Sequence, residues 1–271
     1  MCRASFSLPA AAIPACTTTS AKTHPRNFRW RFGMPRKISF GLRFLKQNIP
    51  GLTIAEYPTR SEYSELLKRG WDAVGFSFYL EETNEILSMA EEAQRAGVAQ
   101  LWAGNYGALT SSIHSHFDHV FTSYSEQELA GLLGTTIDEI QHPPLVTEFR
   151  LPGGWSLPVG VLFSSRGCSF RCTFCQTTAF APHPKDISLE SIDRVLRFYV
   201  QHGVHFVLML DENFGNLPAH SEEVITNCSR ATKFAGWCNR AWICSFAISR
   251  SGGNAEWKAR CLESRASIRT S

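Results

Sequence analysis

Between residues 52 and 133, short apolar runs alternate with segments whose apolar residues recur at helical spacing. The run DAVGFSFY at 72–79 has the length and composition of a buried parallel strand. The next segment, 83–95, has its apolar residues on one helical face and is followed by Gly97 as a C-cap. The other predicted strands are 52–57, 98–103 and 119–122, and the other predicted helices are 61–69 and 126–133. Strands that alternate with helices predict a doubly wound, mostly parallel α/β sheet.

A Rossmann-like sheet of this kind binds ligands beyond the carboxyl ends of its strands. The loop after Tyr79 and the loop 104–110 lie at that edge. Gly104 and Gly107 are therefore candidate cofactor-binding residues. We predict that this first domain spans residues 37–142.

Residues 143–156 are rich in proline and glycine, which predicts a linker to a second domain at 157–271. The elements predicted there are a strand at 158–164, a helix at 188–202 capped by Ser188, and strands at 206–210 and 241–248. The second domain is therefore also predicted to be α/β.

Charge is distributed unevenly along the chain. Of the 27 basic residues, nine lie in residues 1–55, which hold no acidic residue. Residues 56–271 therefore hold 18 basic and all 24 acidic residues, which gives that part of the chain a net charge of −6. Residues 1–36 are also rich in Ala, Ser, Thr and Pro, which is typical of a disordered leader or of an organelle transit peptide. The acidic body disfavours a nucleic-acid partner.

Hydrophobic patterning and cysteine usage bear on localisation. No apolar stretch reaches the length of a membrane span, which predicts a soluble protein without a membrane partner. The cysteines outside one short run are dispersed, as expected in a reducing compartment. We therefore expect a cytoplasmic protein, with organelle targeting by the leader as the alternative.

The most specific chemical motif is the cysteine run at 166–175, RGCSFRCTFC. It places Cys168, Cys172 and Cys175 in a C-x3-C-x-aromatic-C pattern, with Phe174 as the aromatic residue. Three soft thiolates in one loop favour an iron–sulfur cluster or zinc. Zinc usually takes a second ligand pair, and no such pair follows at a suitable distance. Three thiolates leave the fourth iron of a cube open for another ligand.

This motif resembles the signature of the radical S-adenosylmethionine (SAM) superfamily. The resemblance implies that the three cysteines bind a 4Fe–4S cluster at the end of the first strand of a (β/α) barrel. It also implies that SAM chelates the open iron and is reductively cleaved to a 5′-deoxyadenosyl radical. The implied partners are a small-molecule substrate of unknown identity and an electron donor of the flavodoxin or ferredoxin type.

Acidic and amide residues directly follow the second predicted barrel strand, as Asp211, Glu212 and Asn213. In the family, polar residues at this point meet the methionyl amine of SAM, a match of ammonium with carboxylate. We therefore expect these three residues and Phe174 to contact the cofactor. The alternative is an acidic helix start that complements the helix dipole.

The first domain resembles the cobalamin-binding domain that precedes the barrel in one subgroup. The matching segments are DAVGFSF at 72–78, GNYGALT at 104–110 and the residues around Glu126. The chain departs from the subgroup because it has no D-x-H-x-x-G run, and because no opening strand is recognisable before residue 38. Cobalamin binding and a scaffold retained without cobalamin both remain open.

Two further groups of metal-ligating residue types do not predict a site. His114, His116 and His119 are expected to be solvated loop residues, and the remaining dispersed cysteines to be buried and inert. These cysteines are Cys228, Cys238, Cys244 and Cys261.

About three barrel units can be placed after the linker, which predicts an incomplete, truncated barrel. Three functions therefore stay open: a radical SAM enzyme assisted by cobalamin, a non-catalytic fragment that binds iron–sulfur or zinc, and an inactive interaction module. The motif favours the first.

Overall fold

The chain folds into two α/β units, which divide between Pro143 and Pro144. A computed structural model describes residues 11–15, 38–150, 155–231, 235–238, 244–246 and 260–261.

The first unit is built on a five-stranded parallel sheet with the order β2-β1-β3-β4-β5. The strands are β1 (Ala11–Ala15), β2 (Thr53–Glu56), β3 (Ala73–Ser77), β4 (Gln100–Gly104) and β5 (His119–Val120). The helices are α1 (Phe40–Asn48), α2 (Arg60–Leu67), α3 (Thr83–Arg95) and α4 (Glu126–Leu132). Short 3-10 helices at Leu80–Glu82, Tyr106–Leu109 and Ser111–His116 follow β3 and β4. The predicted doubly wound parallel sheet is confirmed.

Neighbouring residues of the strands contribute to two separate hydrophobic clusters. Val74 and Phe76 of β3 pack in a cluster with α2 and α3, to which Tyr63 and Met89 contribute. Ala73 packs in the other cluster with α1 and α4. Because neighbouring strand residues point to opposite faces, the two clusters lie on the two sides of the sheet. Each fully buried large side chain stabilises this arrangement by roughly 1.5–3 kcal/mol.

β1 supplies the opening strand of this unit, which was expected to be missing or degraded because no strand is recognisable in the sequence. It lies inside the range 1–36 that was predicted to be a disordered leader, and it pairs in parallel with both β2 and β3. The segment AAIPA was not recognised because alanine has low strand propensity and a proline removes a ladder donor from a central strand. The rest of the leader, 1–10 and 16–36, lies outside the described residues.

The second unit contains a six-stranded mixed sheet with the order β13-β12-β11-β10-β7-β6. Its strands are β6 (Leu145–Arg150), β7 (Ser156–Leu162), β10 (Phe206–Met209), β11 (Ala235–Cys238), β12 (Cys244–Phe246) and β13 (Arg260–Cys261). β7, β10 and β11 are parallel to one another. A separate two-stranded sheet is formed by β8 (Ser165–Arg166) and β9 (Lys185–Asp186). The helices are α5 (Thr177–Phe180), α6 (Leu189–Gln201) and α7 (Pro218–Ala231).

α6 confirms the predicted helix and its cap. The Ser188 hydroxyl accepts a hydrogen bond from Ser191 N, and Ile192, Val195, Leu196 and Tyr199 are buried as the spacing predicts. Tyr199 packs so closely on Gly160 of β7 that a Cβ there would lie 2.5 Å from its ring. The chain therefore holds α6 against the strand that leads to the cysteine run.

Two predictions about the second unit need correction. The predicted linker 143–156 contains β6, which pairs antiparallel with β7. The predicted third strand, 241–248, contains β12, but β12 is antiparallel, and the third parallel strand is β11. β11 was overlooked because its sequence, AGWC, carries glycine and no β-branched residue. Residues 241–243 and 247–248 lie outside the described part of the chain.

The parallel strands β7, β10 and β11 with their crossover helices form part of a (β/α) barrel, and no closed barrel is present among the described residues. Within that same part of the chain, no helix is long and apolar enough to span a bilayer.

Candidate functional site

The predicted cluster ligands lie on one loop of the second unit, residues 167–176, which begins shortly after the carboxyl end of β7. The backbone N–H of Cys168 donates to Ala181 O over 3.0 Å, which fastens the start of this cysteine loop. The backbone N–H of Cys175 donates to Cys172 O over 3.1 Å, which folds the end of the loop into a turn. The Thr178 hydroxyl donates to Cys175 O over 2.8 Å. These contacts fix the backbone on both sides of the motif.

Gly167 allows the chain to enter this loop. Its φ of +94° lies in a region that side-chain-bearing residues rarely adopt. A Cβ at this position would also lie 2.9 Å from the carbonyl oxygens of both Ala181 and His183. Glycine is therefore required here for its backbone conformation and for its close packing.

The three thiols are free and differ in exposure. Cys168 is buried, with 9% of its surface exposed, whereas Cys172 and Cys175 are half-buried. Phe174, the aromatic residue of the motif, is 89% exposed. Among the residues with described side chains, no three His, Cys, Asp or Glu residues are grouped to hold a single metal ion. In a cube each cysteine ligates a different iron, so the three thiols need not converge on a single point.

Asp211, directly after β10, is completely buried against the two residues that lead into the cysteine loop. Its Oδ1 accepts from Ser164 N over 2.7 Å. Its Oδ2 accepts from Ser165 N over 3.0 Å, from Ser165 Oγ over 2.8 Å and from Ser164 Oγ. Burial raises the pKa of Asp211 above its usual range, and the hydrogen bonds from Ser164 and Ser165 oppose that rise.

The residues that follow Asp211 also contact the cysteine loop. Glu212 Oε2 accepts from Gly167 N over 3.0 Å, and Asn216 Oδ1 accepts from Ser169 Oγ over 3.0 Å. Asn213 is half-buried, and its carbonyl accepts from Asn216 N over 3.1 Å. The structure thus brings the predicted residues Asp211 and Glu212 to the predicted cysteines. Contact of Asp211, Glu212, Asn213 or Phe174 with a cofactor stays a prediction.

One buried donor beside the loop has no partner. Asn216 Nδ2 is one of two buried side-chain polar atoms without a hydrogen bond among the described residues, Thr147 Oγ1 being the other. An unsatisfied buried donor costs about 1–3 kcal/mol, so a bound acceptor would stabilise it. Three free thiols and this unpaired amide fit a group that carries sulfide or carboxylate acceptors.

In the first unit, Gly104 and Gly107 lie where the sequence placed them, at the carboxyl end of β4. Gly107 N donates to Phe78 O over 2.9 Å, and a Cβ on Gly107 would lie 2.5 Å from the Phe78 ring. Asn105 between them has a φ of +72°. Gly107 thus joins the loops after β3 and β4, and cofactor binding by either glycine stays a prediction.

Two histidines of the first unit have partners within that unit. His114 Nε2 contacts Ala108 O over 2.9 Å. His119 Nε2 pairs with Glu128 Oε1 over 2.8 Å. Of the dispersed cysteines, Cys228 is half-buried rather than buried, and burial raises the pKa of its thiol to about 12. That this thiol is inert stays a prediction. The side chains of Cys238, Cys244 and Cys261 lie outside the described part of the chain.

Most of the second unit matches a known protein family. Residues 162–260 match the sequence profile described as the radical SAM superfamily. This part of the chain belongs to the radical SAM superfamily. The match contains the cysteine loop, Asp211 and Glu212, so the predicted resemblance is confirmed.

Solved structures of radical SAM enzymes share the fold over most of the chain. One is the methyltransferase TsrM from Kitasatospora setae with cobalamin and a [4Fe-4S] cluster bound, at 12% identity and a TM-score of 0.59 over 82% of this chain and 52% of that chain. TsrM with tryptophan substrate and the SAM analog aza-SAM bound matches at 12% identity and a TM-score of 0.58, over 82% and 51%. The cobalamin-dependent enzyme OxsB matches at 14% identity and a TM-score of 0.57, over 84% and 38%.

These likenesses show that the chain shares its fold with part of TsrM and part of OxsB. It spans about half the length of TsrM and 38% of OxsB. No curated protein sequence matches the chain.

Sequence reasoning missed the residues that hold the cysteine loop in place: Ser164, Ser165, Gly167, Ser169 and Asn216. The available signal was the run SSRG at 164–167, because serines and a glycine next to a ligand loop are typical of turns held by side-chain hydrogen bonds. The acceptors of Ser164, Ser165, Gly167 and Ser169 lie more than 40 positions later in the chain, and local sequence patterns do not reveal such distant contacts.

Proposed function

We propose that this radical SAM iron–sulfur protein binds a [4Fe–4S] cluster through Cys168, Cys172 and Cys175 and binds SAM at the open iron. The observation that carries the proposal is the loop of three free thiols next to β7, inside the range that matches the family. When bound, the cluster and SAM supply radical chemistry that begins with reductive cleavage of SAM. The chain itself positions these groups and limits competing reactions.

We assign the roles around the cluster as follows. Gly167 and the Cys168–Ala181 hydrogen bond set where the first thiolate lies. Glu212, whose Oε2 already accepts from Gly167, receives the methionyl ammonium of SAM, with Asn213 beside it. Phe174, which is almost fully exposed, covers an apolar part of the cofactor. A carboxylate near an ammonium is a charge-assisted pair and is strongest where water is excluded.

We further propose that the first unit takes cobalamin at the carboxyl edge of its sheet, beside Gly104 and Gly107. The support is the parallel sheet, the backbone bend at Asn105 and the shared fold with TsrM and OxsB. Because the chain has no D-x-H-x-x-G run, cobalt would be bound without a histidine from that motif. The substrate is an unidentified small molecule, the reductant a flavodoxin or ferredoxin, and the location the cytoplasm.

A second candidate function is iron–sulfur binding without SAM cleavage. The observation in its favour is β12, which pairs antiparallel on the free edge of β11. In a (β/α) barrel that edge receives the next parallel strand. The second candidate predicts a cluster that does not respond to SAM.

The proposal is tested by anaerobic reconstitution of the full chain with iron and sulfide, followed by iron analysis and absorption spectroscopy. We expect the cluster in the wild type and its loss in Cys168→Ala, Cys172→Ala and Cys175→Ala. Cys228→Ala is the matched control, because Cys228 lies on α7 outside the loop, and it should retain the cluster. Equal iron content in all four variants would contradict the proposal.

A further inference from the structure

The entry to the cysteine loop is held by acceptors from a single segment. Residues 211–216, which follow β10, supply carboxylate or amide oxygens to four residues in 164–169. We name these acceptors the clasp: Asp211, Glu212 and Asn216. Because the four donors run through the residues that precede and follow Cys168, the clasp determines the course of the chain into the motif.

Asp211 is the centre of the clasp. It accepts two backbone and two hydroxyl hydrogen bonds from Ser164 and Ser165, one at Oδ1 and three at Oδ2. It is completely buried, so its carboxylate is not exposed to a ligand. The residue next to it, Glu212, is half-buried and lies against Gly167. The two neighbouring carboxylates therefore have different surroundings.

Ser164 is also held from its carbonyl side. Ser164 O accepts from Ile187 N over 2.9 Å and lies 3.0 Å from His220 Nε2 on α7, which acts there as a donor. Asp211 thus completes a set of contacts in which Ser164 is fixed through its N–H, its hydroxyl and its carbonyl. Because Ser164 lies four residues before Cys168, these contacts restrict the backbone that leads to the first cysteine.

We propose that Asp211, instead of contacting the cofactor as the sequence predicts, is a positioning residue that holds the cysteine loop in its cluster-binding shape through Ser164 and Ser165, without touching the cluster or SAM. As far as the cluster is concerned, this inference rests on the proposed function. The shape of the loop itself is a property of the protein alone and can be measured without metal.

Two substitutions at Asp211 test the inference, one removing all of its acceptors and the other removing part of them. Asp211→Ala leaves the buried N–H groups of Ser164 and Ser165 without an acceptor. Asp211→Asn keeps the shape of the side chain and one acceptor oxygen, but it places an NH₂ group, which cannot accept, against the donors of Ser164 and Ser165. Asp193→Asn is the matched control, because Asp193 is an acid of the same unit that pairs with Arg197 on the surface of α6.

The first readout is hydrogen–deuterium exchange of the metal-free full chain. We expect exchange in peptides covering 163–168 to be about tenfold faster in Asp211→Ala, and faster by a smaller factor in Asp211→Asn, with no change over 189–201. The second readout is the rate at which the reconstituted protein loses iron to a chelator, which should rise about tenfold in parallel. Asp193→Asn should match the wild type in both.

Wild-type exchange and iron loss in both Asp211 variants would overturn the inference. Exchange that rises equally over 163–168 and 189–201 would also overturn it, since that result describes general destabilisation. If Asp211→Ala does not fold, Asp211→Asn decides by the same criteria. If the wild type binds no iron, the proposed function fails, and the exchange measurement alone decides the role of Asp211.

Discussion

Gly167 is the residue at which the cysteine loop is most sensitive to substitution. Gly167→Ala adds a methyl group 2.9 Å from two carbonyl oxygens and forces alanine to a φ of +94°. The left-handed backbone costs about 1–2 kcal/mol, and the steric overlap adds about 1–3 kcal/mol. We expect the unfolding free energy of the second unit, measured by urea denaturation, to fall by the sum of both effects.

Gly203→Ala is the control for this prediction. Gly203 lies in the same unit with a φ of +69°, but a Cβ there meets nothing within 4 Å. It should show only the backbone cost, about 1–2 kcal/mol. Equal losses in the two variants would show that close packing at Gly167 contributes nothing.

Cys228 should react slowly despite being a free thiol. Burial raises its pKa to about 12, so at pH 8 the thiol stays protonated, whereas the thiolate is the form that reacts. We expect iodoacetamide to label Cys172 and Cys175 of the loop well before Cys228 in the metal-free protein, although all three are half-buried, because the raised pKa keeps the Cys228 thiol protonated. Site-resolved mass spectrometry measures the three rates, and labelling of Cys228 first would contradict the prediction.

The same shift has a consequence for stability. Because the folded pKa of Cys228 lies above its usual value of 9.0, the folded state holds this proton more tightly than the unfolded state does. The contribution to stability is complete below pH 9 and is lost as the pH rises toward 12. In Cys228→Ser, urea denaturation should show a weaker decline of stability over this range.

Individual residues were predictable from sequence where one short motif carries the chemistry. The spacing of Cys168, Cys172 and Cys175 in a single loop predicted both the family and the loop. The clasp was not predictable in this way. Asp211 was recognised as a polar residue after a strand, but its hydrogen bonds to Ser164 and Ser165 depend on the pairing of β7 with β10.

At the scale of elements, the loop after β4 depends on its packing against the loop after β3. Gly107→Ala places a methyl group 2.5 Å from the Phe78 ring and 2.9 Å from Phe78 O. Phe78 is completely buried in the core and has little room to move. We expect the variant to lose about 1–3 kcal/mol of unfolding free energy in the first unit.

Gly131→Ala tests the same glycine-to-alanine change where space is open. Gly131 lies inside α4, and a Cβ there meets nothing within 4 Å. Alanine is favoured over glycine in a helix, so this variant should gain about 0.5–1 kcal/mol. Urea denaturation should therefore give opposite signs at the two glycines, and a loss at Gly131 would contradict the account.

Elements with a strong periodic pattern were predicted well, and those without it were not. Helix 83–95 was predicted with the bounds that α3 has, because apolar residues recur on one face and Gly97 ends the segment. α1 was missed because Gly41 interrupts its first turn and Ser39 makes no side-chain cap. β11 and β1 were missed because small residues and proline carry little strand signal.

At the scale of the whole molecule, the order of elements was the most informative sequence property. Alternating strands and helices predicted the parallel sheet of the first unit, and the cysteine motif predicted the family of the second. The strand order β2-β1-β3-β4-β5 was not predictable, since β1 precedes a long stretch with no periodic pattern. Antiparallel β6 was also not predictable, because proline and glycine around it are typical of a linker.

The central claim is that the cysteine loop carries a [4Fe–4S] cluster whose open iron binds SAM. Electron paramagnetic resonance of the reconstituted, reduced full chain, recorded with and without SAM, tests it most directly. We expect a cluster signal that shifts when SAM is added, and no signal in Cys172→Ala. A cluster signal that SAM leaves unchanged would contradict the claim and identify the second unit as an iron–sulfur binder that does not bind SAM.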